Sequence, residues 1–121
     1  MPETSQLSKH FNRSEFACKC GNCSFDTVDV QLIPLLEAVR VHFDSPVTIN
    51  SACRCHAHNT AVGGKPNSQH LYGRAADIVV KGHTPTEVHE LLESLMKGWG
   101  GLGLYETFVH VDTRTGGKAR W

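Results

Sequence analysis

Ser68-Gln69-His70-Leu71-Tyr72-Gly73-Arg74-Ala75-Ala76-Asp77 decides the reading of this 121-residue chain. Asp77 lies in Ala75-Ala76-Asp77-Ile78-Val79-Val80, which is otherwise apolar and reads as a buried strand. On a strand it shares a face with Ala75 and Val79, where an unpaired carboxylate is costly to bury. A metal ion satisfies such a group; a hydrogen-bonded structural aspartate is the plainer alternative. His70 precedes it by seven positions, and Gly73 lets the chain turn between them without a side chain in the way. A third residue of the same chemistry, His110, sits inside the apolar stretch Phe108-Val109-His110-Val111-Asp112. Two imidazoles and one carboxylate form a donor set that leaves a position on zinc open, the arrangement of a catalytic rather than a structural site.

By strand alternation His110 shares its face with Phe108 and Asp112, and with Glu106 if the strand reaches that far. It is either a core histidine held by Asp112 or a zinc ligand supported by neighbouring carboxylates.

Around these strands the pattern is local and readable. Asp26 or Thr27 caps an expected helix to about Phe43, with Val28, Leu32, Leu35, Leu36 and Val39 on one side. Pro34 kinks that helix or marks its true first turn. Pro46 to Asn50 reads as a strand, and Asn59 to Ser68 as a loop. Thr84-Pro85-Thr86-Glu87 is a capping box with proline at the first helical position, and Val88, Leu91, Leu92, Leu95 and Met96 follow at helical spacing. Gly98, Gly100, Gly101 and Gly103 end this helix. Residues 1–10 are polar and expected to be loose, and Phe11 to Cys23 irregular and tied by cysteines. Trp121 is expected to fold back on the core. The sum is one α+β domain over residues 1–121, a small antiparallel sheet with helices packed on one side.

Composition excludes more than it selects. Twelve basic and twelve acidic side chains balance, so no strong field favours nucleic acid or an anionic membrane. No apolar run approaches the roughly 18 residues of a membrane-spanning helix. The N-terminal residues show no basic region followed by an apolar stretch, so no secretory signal is visible. A monomer is expected. Five cysteines fall in two clusters, Cys18-Lys19-Cys20-Gly21-Asn22-Cys23 and Cys53-Arg54-Cys55. They suit a second, structural zinc at Cys18, Cys20 and Cys23, or one joining the clusters; disulfides or free packed thiols are the alternatives.

The stretch from Ser68 to Asp77 matches SxHxxGxAxD, and the chain therefore resembles the zinc D-Ala-D-Ala carboxypeptidases and their peptidoglycan endopeptidase relatives, most of all the small single-domain members in phage lysis proteins and bacterial cell-wall enzymes. Ser51-Ala52-Cys53-Arg54, Asn59-Thr60-Ala61-Val62-Gly63-Gly64, the glycine-rich Gly101-Leu102-Gly103-Leu104-Tyr105, the Phe108 to Asp112 strand and the ending Ala119-Arg120-Trp121 fit the family in order. The resemblance implies the fold shared with hedgehog signalling domains, with His70, Asp77 and His110 binding zinc. It implies that Arg54 polarises the scissile carbonyl or steadies the oxyanion, a role suited to a permanently charged guanidinium. The substrate class it implies is the stem peptide of peptidoglycan, cut at a terminal D-alanine or inside a cross-link. Arg54, Arg74 and Lys65 are the cations available for a substrate carboxylate, and Tyr72 and Tyr105 are candidate cleft residues.

One position departs from the family. Many members carry an acid three residues before the last ligand or a histidine two before it; here these are Thr107 and Phe108. Asp112 and Glu106 are left as candidates for the proton-handling carboxylate. The departure also leaves open an inactive metal-containing module that binds cell wall. The wall substrate implies action outside the membrane, either by release from the cytoplasm during phage-type lysis or in the periplasm or exterior.

Overall fold

The computed structural model describes residues 7–20, 28–64 and 68–121. Five strands form one sheet in the order β1-β2-β4-β3-β5: β1 is Val47–Ser51, β2 Ala75–Val80, β3 Gly101–Leu104, β4 Val109–Asp112 and β5 Ala119–Arg120. Helices α1 (Leu32–Phe43), α2 (His56–Ala61) and α3 (Pro85–Leu95) complete an α+β fold. The sheet is mixed, which corrects the antiparallel expectation: β5 runs parallel to β3, while the other neighbours are antiparallel.

Alternation divides the sheet into two chemically different faces. Val47 and Ile49 of β1, Ala76, Ile78 and Val80 of β2, Val109 and Val111 of β4 and Leu102 of β3 pack into one core with Leu32, Leu36 and Val39 of α1 and Val88 and Leu92 of α3. Asp77, His110 and Asp112 point to the opposite face. The pairing aligns Ser51, Asp77, His110 and Gly103 in one row across four strands. A register shift between Ile49 and Ser51 brings Ser51 into that row.

Both long helices follow their local chemistry. Thr84 Oγ1 accepts from the Glu87 amide and the Glu87 carboxylate accepts from the Thr84 amide, the capping box expected ahead of α3. Helix α1 begins at Leu32, later than expected, with Pro34 in its first turn, where its missing amide has no partner to lose. Asp26 and Thr27 lie outside the described residues. Asp29 instead organises this end: its Oδ1 accepts from the Gln31 amide, its amide donates to Gly73 O, and its Oδ2 accepts from Thr113 Oγ1.

Three further expectations change. Ser8 and His10 are anchored to Glu37 of α1, so residues 7–10 are not loose. Asn59 to Ala61 close α2 instead of opening a loop. Gly101 to Leu104, expected as turn, form β3. Its glycines are demanded by neighbours on the polar face: a Cβ at Gly101 would lie 2.4 Å from Asp112 Oδ2, and one at Gly103 2.5 Å from Trp121 Nε1.

Candidate metal centre

His70 comes from the short 3-10 turn Gln69–Tyr72, which Ser68 caps through its side chain and Gly73 ends in the left-handed region at φ 68°. The Arg54 amide donates to His70 O, and His70 Nδ1 lies 2.6 Å from Ala52 O, so the turn is bolted to the segment after β1. Asp77 and His110 face each other as a register pair of β2 and β4. The three side chains converge: His110 Nδ1 lies 3.0 Å and His70 Nε2 3.3 Å from Asp77 Oδ1. All three residues are buried.

The far nitrogens decide what this convergence means. Ala52 O can only accept, so His70 Nδ1 donates to it. An ionised Asp112 can only accept, so His110 Nε2 donates to its Oδ2 at 2.7 Å. With those protons placed, each neutral imidazole turns a lone pair toward the Asp77 oxygen. Three electron-rich atoms at one point require positive charge between them, supplied by protons or by a cation. Donor atoms around a tetrahedral zinc with bonds of about 2.0–2.1 Å stand about 3.3 Å apart. The spacing and the borderline nitrogen and oxygen donors therefore fit zinc. Without metal, burial works to raise the Asp77 pKa, but hydrogen bonds from His110 and His70 outweigh it and lower the value from 3.8 to about 2. Burial likewise opposes charge on His110, yet the bonds to Asp112 and Asp77 prevail and hold its pKa above the ordinary value.

Asp112 stands behind His110, not in front of it. It is 0 % exposed. Its Oδ1 accepts from the Arg114 amide and Nε, and its Oδ2 from Arg114 Nη2 as well as His110. This fork outweighs the cost of burial and holds the Asp112 carboxyl well below the usual carboxylate range. Sealed in this way, Asp112 holds the His110 ring through Nε2 and is not among the residues that line the cleft. Glu106, the other expected carboxylate, is exposed in the turn between β3 and β4.

The three candidate ligands open into a cleft of about 880 Å³, within the range of peptide-sized pockets. Arg54 forms one wall, held by Nε to Ser51 Oγ and Nη1 to Asn59 Oδ1, with Nη2 3.4 Å from Asp77 Oδ2. Tyr105 and Phe108, their rings stacked at 4.4 Å, and Trp121 also line the cleft. Trp121 folds back, but over the polar face of the sheet and not onto the core as expected: its indole lies 5.0 Å from the His110 ring and donates to Tyr105 Oη. Arg114 also lines the cleft, with its guanidinium 5.2 Å over the Trp121 ring.

Several roles were not anticipated from sequence. Arg114 emerges as a second cleft cation, and Ser51 and Asn59 as the residues that aim Arg54. Arg74, considered for a substrate carboxylate, lies over the exposed Tyr72 ring instead, and neither is among the cleft-lining residues. Lys65 and Cys23 lie outside the described residues. His10 and His83 pair with Glu37 and Glu87, away from the cleft.

Two imidazoles and a carboxylate converging beneath such a cleft form a donor set that fits a metal-dependent hydrolase. The peptidase M15 family profile matches residues 9–112, and the chain belongs to that family. Over 35 residues it is 49% identical to the zinc D-Ala-D-Ala carboxypeptidase of Streptomyces albus G; the match covers 29% of this chain and only 14% of that protein's length.

Proposed function

We propose that this domain is a zinc peptidase that hydrolyses peptide bonds in the stem peptides of peptidoglycan, as a D-Ala-D-Ala carboxypeptidase or as an endopeptidase. The observation that carries the reading is the convergence of His70 Nε2 and His110 Nδ1 on Asp77 Oδ1 at the floor of a cleft flanked by Arg54. Membership of the peptidase M15 family and the partial likeness to a zinc D-Ala-D-Ala carboxypeptidase support it.

Bound by His70, Asp77 and His110, zinc supplies Lewis acidity that polarises a carbonyl and acidifies water. The residues supply the rest. Ala52 O and Asp112 fix the imidazole tautomers, so that both rings present a lone pair to one point. Arg54, already aimed by Ser51 and Asn59, donates to the carbonyl oxygen as negative charge develops on it. Tyr105, Phe108 and Trp121 give the peptide an apolar wall. In the carboxypeptidase mode the terminal carboxylate pairs with Arg54 or Arg114, the two cations of the described cleft. Glu106, in the same turn as the cleft residues Tyr105 and Phe108 though not itself among the lining residues, is the carboxylate left to take the proton from water and return it to the leaving amine.

The protein acts on wall material outside the cytoplasmic membrane, reached by release during phage-type lysis or from the periplasm or exterior, and it does so as a monomer. Among the described residues no helix is long and apolar enough to cross a membrane.

One observation favours a second reading. Among the described residues Asp77 is the sole carboxylate lining the cleft. A domain that holds zinc and binds wall peptides without cutting them fits that feature. Digestion of purified peptidoglycan by zinc-loaded protein, read by mass spectrometry beside His110→Ala, separates the two. Stem-peptide cuts absent from the control establish the peptidase and identify the bond. Intact peptidoglycan that co-sediments with folded, zinc-loaded protein establishes the binding module.

A further inference from the structure

A second cluster of donors lies outside the cleft. Cys18, Cys20 and Cys55 bring their sulfurs within 4.8 Å of one another, with Cys20 Sγ and Cys55 Sγ 3.9 Å apart. None of them lines the cleft. We propose that these three thiolates bind a second metal ion of the zinc class, and that this ion fastens the segment after the first 3-10 turn, Arg13–Phe16, to the loop that carries Arg54.

The geometry separates metal from disulfide. A disulfide joins two sulfurs at about 2.05 Å and leaves a third with no role. Thiolates around a tetrahedral zinc with bonds of about 2.3 Å stand about 3.8 Å apart, close to the observed Cys20–Cys55 spacing. The donor set is soft, which selects zinc over magnesium or calcium. Backbone amides already point at two of the sulfurs: the Cys55 amide donates to Cys18 Sγ at 3.3 Å and the His58 amide to Cys55 Sγ at 3.4 Å.

The position gives the ion a task. The Cys53 amide donates to Phe16 O, and the Cys55 amide to Cys18 Sγ, so two hydrogen bonds already join these segments. Arg54 lies between them. Cys55 is the N-cap of α2, and its carbonyl accepts from the amide of Asn59, whose side chain holds Arg54 Nη1. A metal at Cys55 therefore fixes both ends of the support for the cleft arginine. Cys55 brings the second cysteine cluster into the set, as in the reading of an ion that joins the two clusters; Cys23 lies outside the described residues.

The full chain, purified under reducing conditions, tests this without reference to peptidase activity. Wild type is expected to hold two zinc ions per chain, and the double variant His70→Ala/His110→Ala one. Cobalt added to metal-free protein is expected to give the near-ultraviolet thiolate-to-cobalt charge-transfer band in wild type and in the double variant, and not in Cys20→Ser/Cys55→Ser. The wild-type band stands even if the cysteine variant fails to fold. One zinc per wild-type chain with none in the double variant, or cobalt binding without a thiolate band, overturns the proposal. A Cys20–Cys55 cross-link that persists in the presence of zinc also overturns it.

Discussion

The Nε2 of His110 lies 2.7 Å from a carboxylate oxygen of Asp112, a residue that is sealed from solvent and clamped from behind by Arg114. One strand thus carries both a candidate ligand and the group that sets its tautomer, two residues apart on the same face. Asp112→Asn is expected to weaken zinc binding and activity by about 10- to 100-fold, the usual cost of losing such a partner. A zinc competition assay with a chromogenic chelator measures it; unchanged affinity would deny Asp112 this role.

Arg54 touches the site without belonging to the candidate ligand set. Replacement by alanine is expected to lower kcat by about 10²–10³, in line with loss of one oxyanion donor, with zinc content unchanged. Steady-state kinetics together with metal analysis separate this from simple loss of the ion. A change in KM alone would reduce Arg54 to a binding role.

Gly103 exists for Trp121. A Cβ there meets the indole at 2.5 Å, so Gly103→Ala is expected to push Trp121 off the sheet and away from His110 and Tyr105. In a Trp99→Phe background, fluorescence from the remaining tryptophan is expected to shift to the red, and KM for wall peptides to rise. An unshifted spectrum would show that the wall tolerates the methyl group.

Metal reverses the pH response of stability around neutrality. Asp77 and Asp112 have depressed folded pKa values, so their contribution is present above the ordinary 3.8 and is lost as pH falls through the folded values, about 2 for Asp77. His110 has a raised folded value, so its contribution in metal-free protein is full below 6.5 and is lost as pH rises through the raised value. Zinc needs the deprotonated rings and binds more tightly as pH rises. Melting temperatures between about pH 6 and 8 should therefore fall for chelated protein and rise for zinc-loaded protein. Parallel slopes would argue against metal at these histidines.

Where neighbours in sequence decide structure, the chain could be read directly. Ala75 to Val80 forms a strand with the expected ends, and the Thr84 to Glu87 box starts α3 where its side chains dictate. The convergence of His70, Asp77 and His110 was legible through strand alternation and family resemblance. What escaped depends on distant partners. Gly101 and Gly103 have poor strand propensity; they form β3 by pairing with β4 and β5, and they are glycines because Asp112, Arg114 and Trp121 occupy the space above them. The parallel pairing of Ala119 and Arg120 with Gly101 and Leu102 closes only after the chain has passed through β4. Alternation placed Asp112 beside His110, but only the Arg114 fork shows that its oxygens are already taken.

The most direct test of the central claim is the release of stem-peptide fragments by chelator-stripped protein as zinc is added back. The account predicts no cleavage by stripped protein, recovery with zinc, and none at any zinc concentration for His110→Ala. Cleavage that survives stripping, or that His110→Ala retains, would contradict it.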